Sequence, residues 1–201
     1  MSNKPDKRTQ LIIAAKHLIH KQGFNLTTLA DIAQKADVPL GNVYYYFKTK
    51  EAIGEAVLQS NAKELKERFH SWEQQADWNM RLAALLNYEM EQAESTARSG
   101  CPIGSLCQEV AKQGGSLADA AAQLLKDTLQ WCEKQFQGLG YGQQVAQELA
   151  TQFIAQVQGA ALMTNTFKDP NMMVKMAART EVWLKDLRSN KKYDTKMLDA
   201  A

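Results

Sequence analysis

The chain has 201 residues, 45% of them hydrophobic and 23% charged, with a formal net charge of +2. This is the balance of an ordinary globular chain rather than a fibrous or disordered one, and the length suits one domain or two small ones. No apolar run approaches the ~20 residues of a membrane span, and residues 1–8 lack the apolar core of a secretory leader, so the expected location is the cytoplasm, away from membranes.

Strand signals are nearly absent, and apolar residues recur at helical steps throughout. The spacing predicts a first helix from near Asp6 that buries Leu11, Ile12, Ala15, Leu18 and Ile19 and ends at Gly23. Thr28 is a suitable N-cap for a second helix, with Asp31 three residues on as its capping-box partner. Ile32, Ala33 and Ala36 form its apolar stripe, and Asp37-Val38-Pro39 makes a turn. A third, short helix is expected over Leu40 to Phe47, held inward by Val43 and Phe47. Thr49-Lys50-Glu51 then opens a longer helix through Trp72. Further helices are predicted over 78–97, 102–112, 117–137, 143–167 and 170–189, punctuated by Ser99-Gly100, Gly114-Gly115, Gly138-Leu139-Gly140 and Asp169-Pro170. That makes about nine helices in an all-α fold, with a polar tail over 191–201.

The small net charge hides an asymmetry. Residues 1–50 carry eight Lys/Arg against three Asp, a balance of +5, which leaves −3 for the remainder. A basic N-terminal part on an acidic body fits a nucleic-acid-binding head. The same part holds three consecutive tyrosines, Tyr44 to Tyr46, on the short third helix. Successive helical residues lie about 100° apart, so one buried face cannot take all three. Lys48 and Lys50 beside them suggest an anionic partner.

Gly23-Phe24, Thr27-Thr28, Asp31-Ile32-Ala33, Ala36, Val38, Gly41-Asn42-Val43-Tyr44, Tyr46-Phe47 and Lys50-Glu51 together resemble the helix-turn-helix of the TetR/AcrR family of bacterial regulators. The resemblance implies a three-helix DNA-binding domain over 1–50, joined by one long helix to a helical ligand-binding and dimerisation domain over 51–190. It implies DNA contacts at Thr28, Leu40, Gly41, Asn42, Tyr44, Tyr45, Tyr46 and Lys50. Leu40 departs from the polar or basic residue that many relatives carry there.

The residues support the same reading. In a helix-turn-helix the second helix of the pair enters the major groove with its N-terminal residues against base edges. Gly41 permits close backbone approach, Asn42 can pair with a base edge or a phosphate, and Tyr44 and Tyr45 offer rings and hydroxyls. Lys50 suits a phosphate anchor. Thr27 and Thr28 offer hydroxyl and N–H donors at the positive end of the second helix.

One head reads few base pairs, so a homodimer on double-stranded operator DNA is expected. Leu149, Phe153, Val157, Ala160 and Ala161 form one candidate interface face. Met173, Met176, Thr180, Trp183 and Leu187 on the last helix form its complement. Tyr88, Met90, Trp131, Phe136, Phe153, Gln156 and Met163 are candidate walls of an effector chamber in the body.

Cys101 precedes Pro102, which favours the first helical position and makes Cys101 an N-cap whose thiolate is favoured by the helix end. Cys107, six residues on, lies about 9 Å away along a helix axis, too far for a disulfide. A Gly-Cys at this place resembles the branch of the family that includes electrophile-responsive repressors, so Cys101 and Cys107 join the candidate ligand-binding set. The third cysteine is Cys132, and no zinc-ligand spacing occurs. No phosphate loop, nucleophile elbow or metal motif points to an enzyme or a cofactor, and His17, His20 and His70 lack an evident nucleophile beside them. The expected function is that of a dimeric transcriptional regulator, a repressor released from its operator by a small molecule or electrophile.

Overall fold

The computed structural model describes residues 6–189, with side chains to 187; the tail expected over 191–201 lies outside them. Ten α-helices and no strand occur among the described residues. They are α1 (Lys7–Gln22), α2 (Leu29–Ala36), α3 (Leu40–Tyr46), α4 (Lys50–Trp72) and α5 (Trp78–Glu91), then α6 (Ala93–Ser99), α7 (Pro102–Ala111), α8 (Gly115–Gly138), α9 (Gln143–Phe167) and α10 (Asn171–Ser189). The tenth arises because the helix expected over 78–97 breaks at Gln92, where φ is −87° and ψ 0°.

The chain forms two compact units. Among the described residues, the first comprises 6–66 together with Pro102–Leu125, and the second comprises Glu67–Cys101 and 126–189. This packing boundary differs from the expected division at residue 50, because α7 and the first half of α8 pack with the head helices.

In the first unit, Asp6 caps α1 by accepting the Thr9 N–H at 3.0 Å. Those bonds hold the Asp6 carboxyl below the usual carboxylate range. Gly23 ends the helix with φ 87°, a conformation that favours glycine. The expected capping box of α2 is present, with Thr28 and Asp31 bonded both ways. Asp37, at φ 54°, ends α2 in the left-handed region that Asp and Asn tolerate best among residues with a side chain. Leu11, Ala15, Ile19, Phe24, Ile32, Val43, Phe47 and Ile53 are buried together with Leu106, Val110 and Leu117. Of the expected face of α1, Ile12 and Leu18 are only half-buried, and Ala14 is buried instead.

In the second unit, Phe69 stacks on Trp131 with centroids 4.8 Å apart, and Trp72 bridges from Trp131 to Tyr88. Phe136, Phe153 and Trp183 make a second aromatic group. Helix α9 packs against α6 and α10, and α10 also against α5.

This packing covers most of the expected subunit-interface residues within the one chain. Leu149, Phe153, Val157, Ala160, Ala161, Met173, Thr180 and Leu187 are all buried within the one chain, and Met176 and Trp183 are half-buried there. The physical reason is that α6 and α10 already cover this face of α9. The small pair Ala160-Ala161 permits close approach as expected, but toward Ala93 of α6 and Met173 of α10. Asn165 then donates to the Thr96 and Ala97 carbonyls of α6. Other faces of α9 and α10 leave apolar residues on the surface. Leu162 is 56% exposed, Phe167 64% and Val182 57%, with Met163 and Val174 exposed beside them.

Phe153→Ala therefore leaves a cavity in a fully packed core and lowers stability by ~3–5 kcal/mol, measured by urea unfolding at a fixed protein concentration. A loss under 1 kcal/mol would place Phe153 outside the core.

Candidate nucleic-acid interface

Helix α3 has seven residues, and Val43 and Phe47 tie it down while Leu40, Tyr44, Tyr45 and Tyr46 stand on the surface. Tyr44 is 49% and Tyr45 75% exposed. Tyr46 is partly exposed and meets the Tyr45 ring edge-on at 4.9 Å, so the two rings brace one another. Nothing lies within 4 Å of the position a Cβ on Gly41 would take, so its backbone is open to a close-lying partner. Asn42 is half-buried and its N–H bonds the Pro39 carbonyl, which leaves its side chain at the start of the helix.

The two threonines behave differently from expectation. Thr27 is 1% exposed; its hydroxyl donates to the Gly23 carbonyl at 2.7 Å and its N–H to the Phe24 carbonyl. Thr28 is exposed, but its hydroxyl and N–H both donate to the Asp31 carboxylate at 2.7 and 2.9 Å. Those bonds hold the Asp31 carboxyl below the usual carboxylate range. The positive end of α2 thus already carries an anion, and the donors of both threonines have partners within the chain.

Lys50 is half-buried. Its ammonium donates to the Asn25 carbonyl at 2.8 Å and lies 4.6 Å from the Phe24 ring centroid. That leaves two of its three N–H groups for another acceptor. Around Asn25 the structure shows what the sequence did not. The Glu109 carboxylate of α7 accepts the Phe24 N–H at 2.7 Å and the Asn25 N–H at 2.6 Å. Gln113 donates to the Asn25 side-chain carbonyl at 2.6 Å. These partners lie 84 to 88 residues apart in sequence, and no local pattern announces them.

The expected effector residues do not form one cluster. Cys107 belongs to the first unit, where its thiol donates to the Ala121 carbonyl at 3.2 Å. Tyr88, Cys101, Trp131, Phe153 and Gln156 belong to the second. Tyr88 lies under the Arg68 guanidinium, 4.2 Å from it, and Trp131 donates its indole N–H to Glu73. Phe153 is fully buried, and Gln156 accepts from Thr180 at 2.9 Å. Cys101 is half-buried, its sulfur 3.8 Å from the Gln158 amide nitrogen, against the small-residue cluster of Ala93, Ala160 and Ala161. No disulfide joins any of the three cysteines, and burial pushes the Cys132 thiol up, keeping it protonated. Among the described residues no group of three metal-ligating side chains occurs, and no helix is long and apolar enough to cross a membrane.

Sequence reasoning missed Glu89. It lies one helical turn from Leu85 and Leu86, on the apolar face of α5, and burial pushes its carboxyl up to about 7 against the opposing pull of Arg68. An acid at i+3 and i+4 from buried leucines was the available signal.

Comparison with known proteins places this architecture. Residues 11–57 match the family model "Bacterial regulatory proteins, tetR family", and residues 81–179 match "Transcriptional regulator LmrA/YxaF-like, C-terminal domain". An uncharacterized HTH-type transcriptional regulator of Lactococcus lactis is 26% identical over 85% of this chain and 89% of its own. The HTH-type transcriptional repressor NemR of Escherichia coli is 30% identical over 52% of this chain and 54% of its own. A TetR transcriptional regulator of Legionella pneumophila shares the fold with a TM-score of 0.82 at 17% identity, over 92% of this chain and 98% of that one.

Two outcomes follow for the site residues. Val43→Ala removes two buried methyl groups and lowers stability by about 2 kcal/mol in urea, whereas Tyr45→Ala stays within about 0.5 kcal/mol. Glu89 binds its proton more tightly folded than unfolded, so its contribution is full at low pH and is lost as pH rises from about 4.5 to about 7. Glu89→Gln flattens that part of the stability–pH curve, read from thermal melts between those limits; an unchanged slope would refute the assignment.

Proposed function

Because the chain belongs to the TetR family of bacterial regulators, we propose that it is a homodimeric transcriptional repressor that reads operator DNA with α3 and leaves it when a small molecule or electrophile acts on the body. Members of the family are ligand-responsive DNA-binding transcription regulators. In this reading residues 1–50 serve DNA and residues 51–190 serve effector and partner subunit.

The observation that carries the reading is α3 itself. It buries only what fixes it and leaves two tyrosines about half or more exposed beside an open glycine. Leu40, Gly41 and Asn42 would meet base edges, Leu40 through apolar contact such as a thymine methyl. Tyr44, Tyr45 and Tyr46 would reach phosphates and groove edges, and Lys50 a phosphate. The repressor assignment is supported by the name of the NemR relative. Cys101 is the candidate electrophile target, half-buried beside Gln158. The subunit interface is assigned to the exposed apolar side of α9 and α10, with Leu162, Phe167 and Val182 at its centre.

Two measurements test this. A duplex enriched by the wild-type protein from a random 20-bp library should bind with an affinity that falls steeply as salt rises. Tyr44→Ala should weaken it at least tenfold with the fold intact; full affinity in that variant would sink the assignment. Light scattering should give a dimer mass for wild type and a monomer mass for Leu162→Glu/Phe167→Glu at unchanged helicity. A dimer in both would move the interface elsewhere.

A further inference from the structure

We propose that Glu109 is a positioning residue for operator binding, clasping the loop between α1 and α2 so that the head keeps its DNA-reading arrangement only while α7 stays in place. The proposal rests on the operator reading above and concerns how that site is controlled.

The loop Gly23-Phe24-Asn25 has local bonds at Gly23 and at the Phe24 carbonyl, but the Phe24 and Asn25 N–H groups are held from α7. Glu109 accepts two consecutive backbone N–H groups, from Phe24 at 2.7 Å and Asn25 at 2.6 Å. Hydrogen bonds to an ionised carboxylate are the short, strong kind. The position a Cβ on Gly23 would take is 3.1 Å from both carboxylate oxygens, so a larger residue there would crowd the clasp as well as strain the backbone. Asn25 is bound at three further-reaching points. Its N–H goes to Glu109, its side-chain carbonyl accepts from Gln113, and its backbone carbonyl accepts from Lys50.

Lys50 therefore connects the clasp to the DNA-facing surface. Its ammonium rests on Asn25 and over the Phe24 ring, the two residues whose amides Glu109 holds. Phe24 is buried, and a Cβ on Gly54 of α4 would stand 2.8 Å from its ring. Little room exists for the loop to shift without disturbing the start of α4, where Lys50 sits. Any event that draws α7 away pulls Glu109 and Gln113 off together, frees Asn25 and releases Lys50 from its fixed place. The link is reciprocal: DNA that fixes Lys50 resists displacement of α7. Helix α7 follows Cys101 directly in the chain.

The test uses the full-length protein, the duplex enriched from the random library, and amide hydrogen exchange read by NMR. Glu109→Gln keeps the shape but presents an NH2 group to one of the two N–H donors. The expected result is at least tenfold faster exchange at Phe24 and Asn25, about tenfold weaker duplex binding, and a salt slope reduced by about one as the Lys50 contact is lost. The melting temperature should stay close to wild type, and Gln113→Ala should act in the same direction more weakly, serving also if Glu109→Gln folds poorly. Unchanged exchange at the two amides overturns the clasp; faster exchange with unchanged affinity and salt slope overturns its positioning role. If wild type itself enriches no duplex, the operator reading fails and the positioning role with it, while the exchange data still decide whether the clasp exists.

Discussion

A seven-residue helix has no stability of its own in water, and α3 exists because Val43 and Phe47 are buried. Everything the head presents depends on that anchorage. With two side chains fixing the axis and rotation, the remaining residues are free of structural duty, and the chain spends them on a leucine, an open glycine and three tyrosines. The rings carry large contact area at little entropic cost, since each has few rotatable bonds. Tyr45 and Tyr46 also hold one another edge-on, so the surface is partly ordered before any partner arrives.

Local chemistry made the head legible. The Thr28/Asp31 pair, the glycine at 23, the Asp37 turn and the inward pair Val43/Phe47 are each set by residues within one or two turns, and each stands in the structure as the sequence predicts. The helices of the body were legible for the same reason, apart from the break at Gln92, which no glycine or proline marks. The side chains that failed expectation are those whose role depends on what else comes near. The apolar face of α9 reads the same whether another chain or its own α6 and α10 cover it, and here the latter do. Thr27 and Thr28 read as free donors until the Gly23 carbonyl and the Asp31 carboxylate take them. Glu109 and Gln113 carry no local signal because their partners lie more than 80 residues earlier.

The charge asymmetry of the sequence takes on a physical meaning in this setting. Part of the positive charge of residues 1–50 is absorbed within the first unit. Lys16 pairs with Glu64 of α4, and Arg8 lies over the Phe47 ring. Lys50 is shared between the loop and the surface. The second unit handles charge by a different rule. There Arg68 covers the Tyr88 ring, and Glu89 sits where burial favours its neutral form.

The distance along the chain between the head loop and its clasp also orders events during synthesis. The three head helices emerge from the ribosome well before Glu109, 85 residues after Phe24, has been made. Until α7 is added, the Phe24 and Asn25 N–H groups lack the Glu109 carboxylate that accepts them. On the positioning role proposed for Glu109, a nascent or truncated chain that ends before α7 would be a poor DNA reader even with its three helices formed. Under that proposal, completion of the body would license the head.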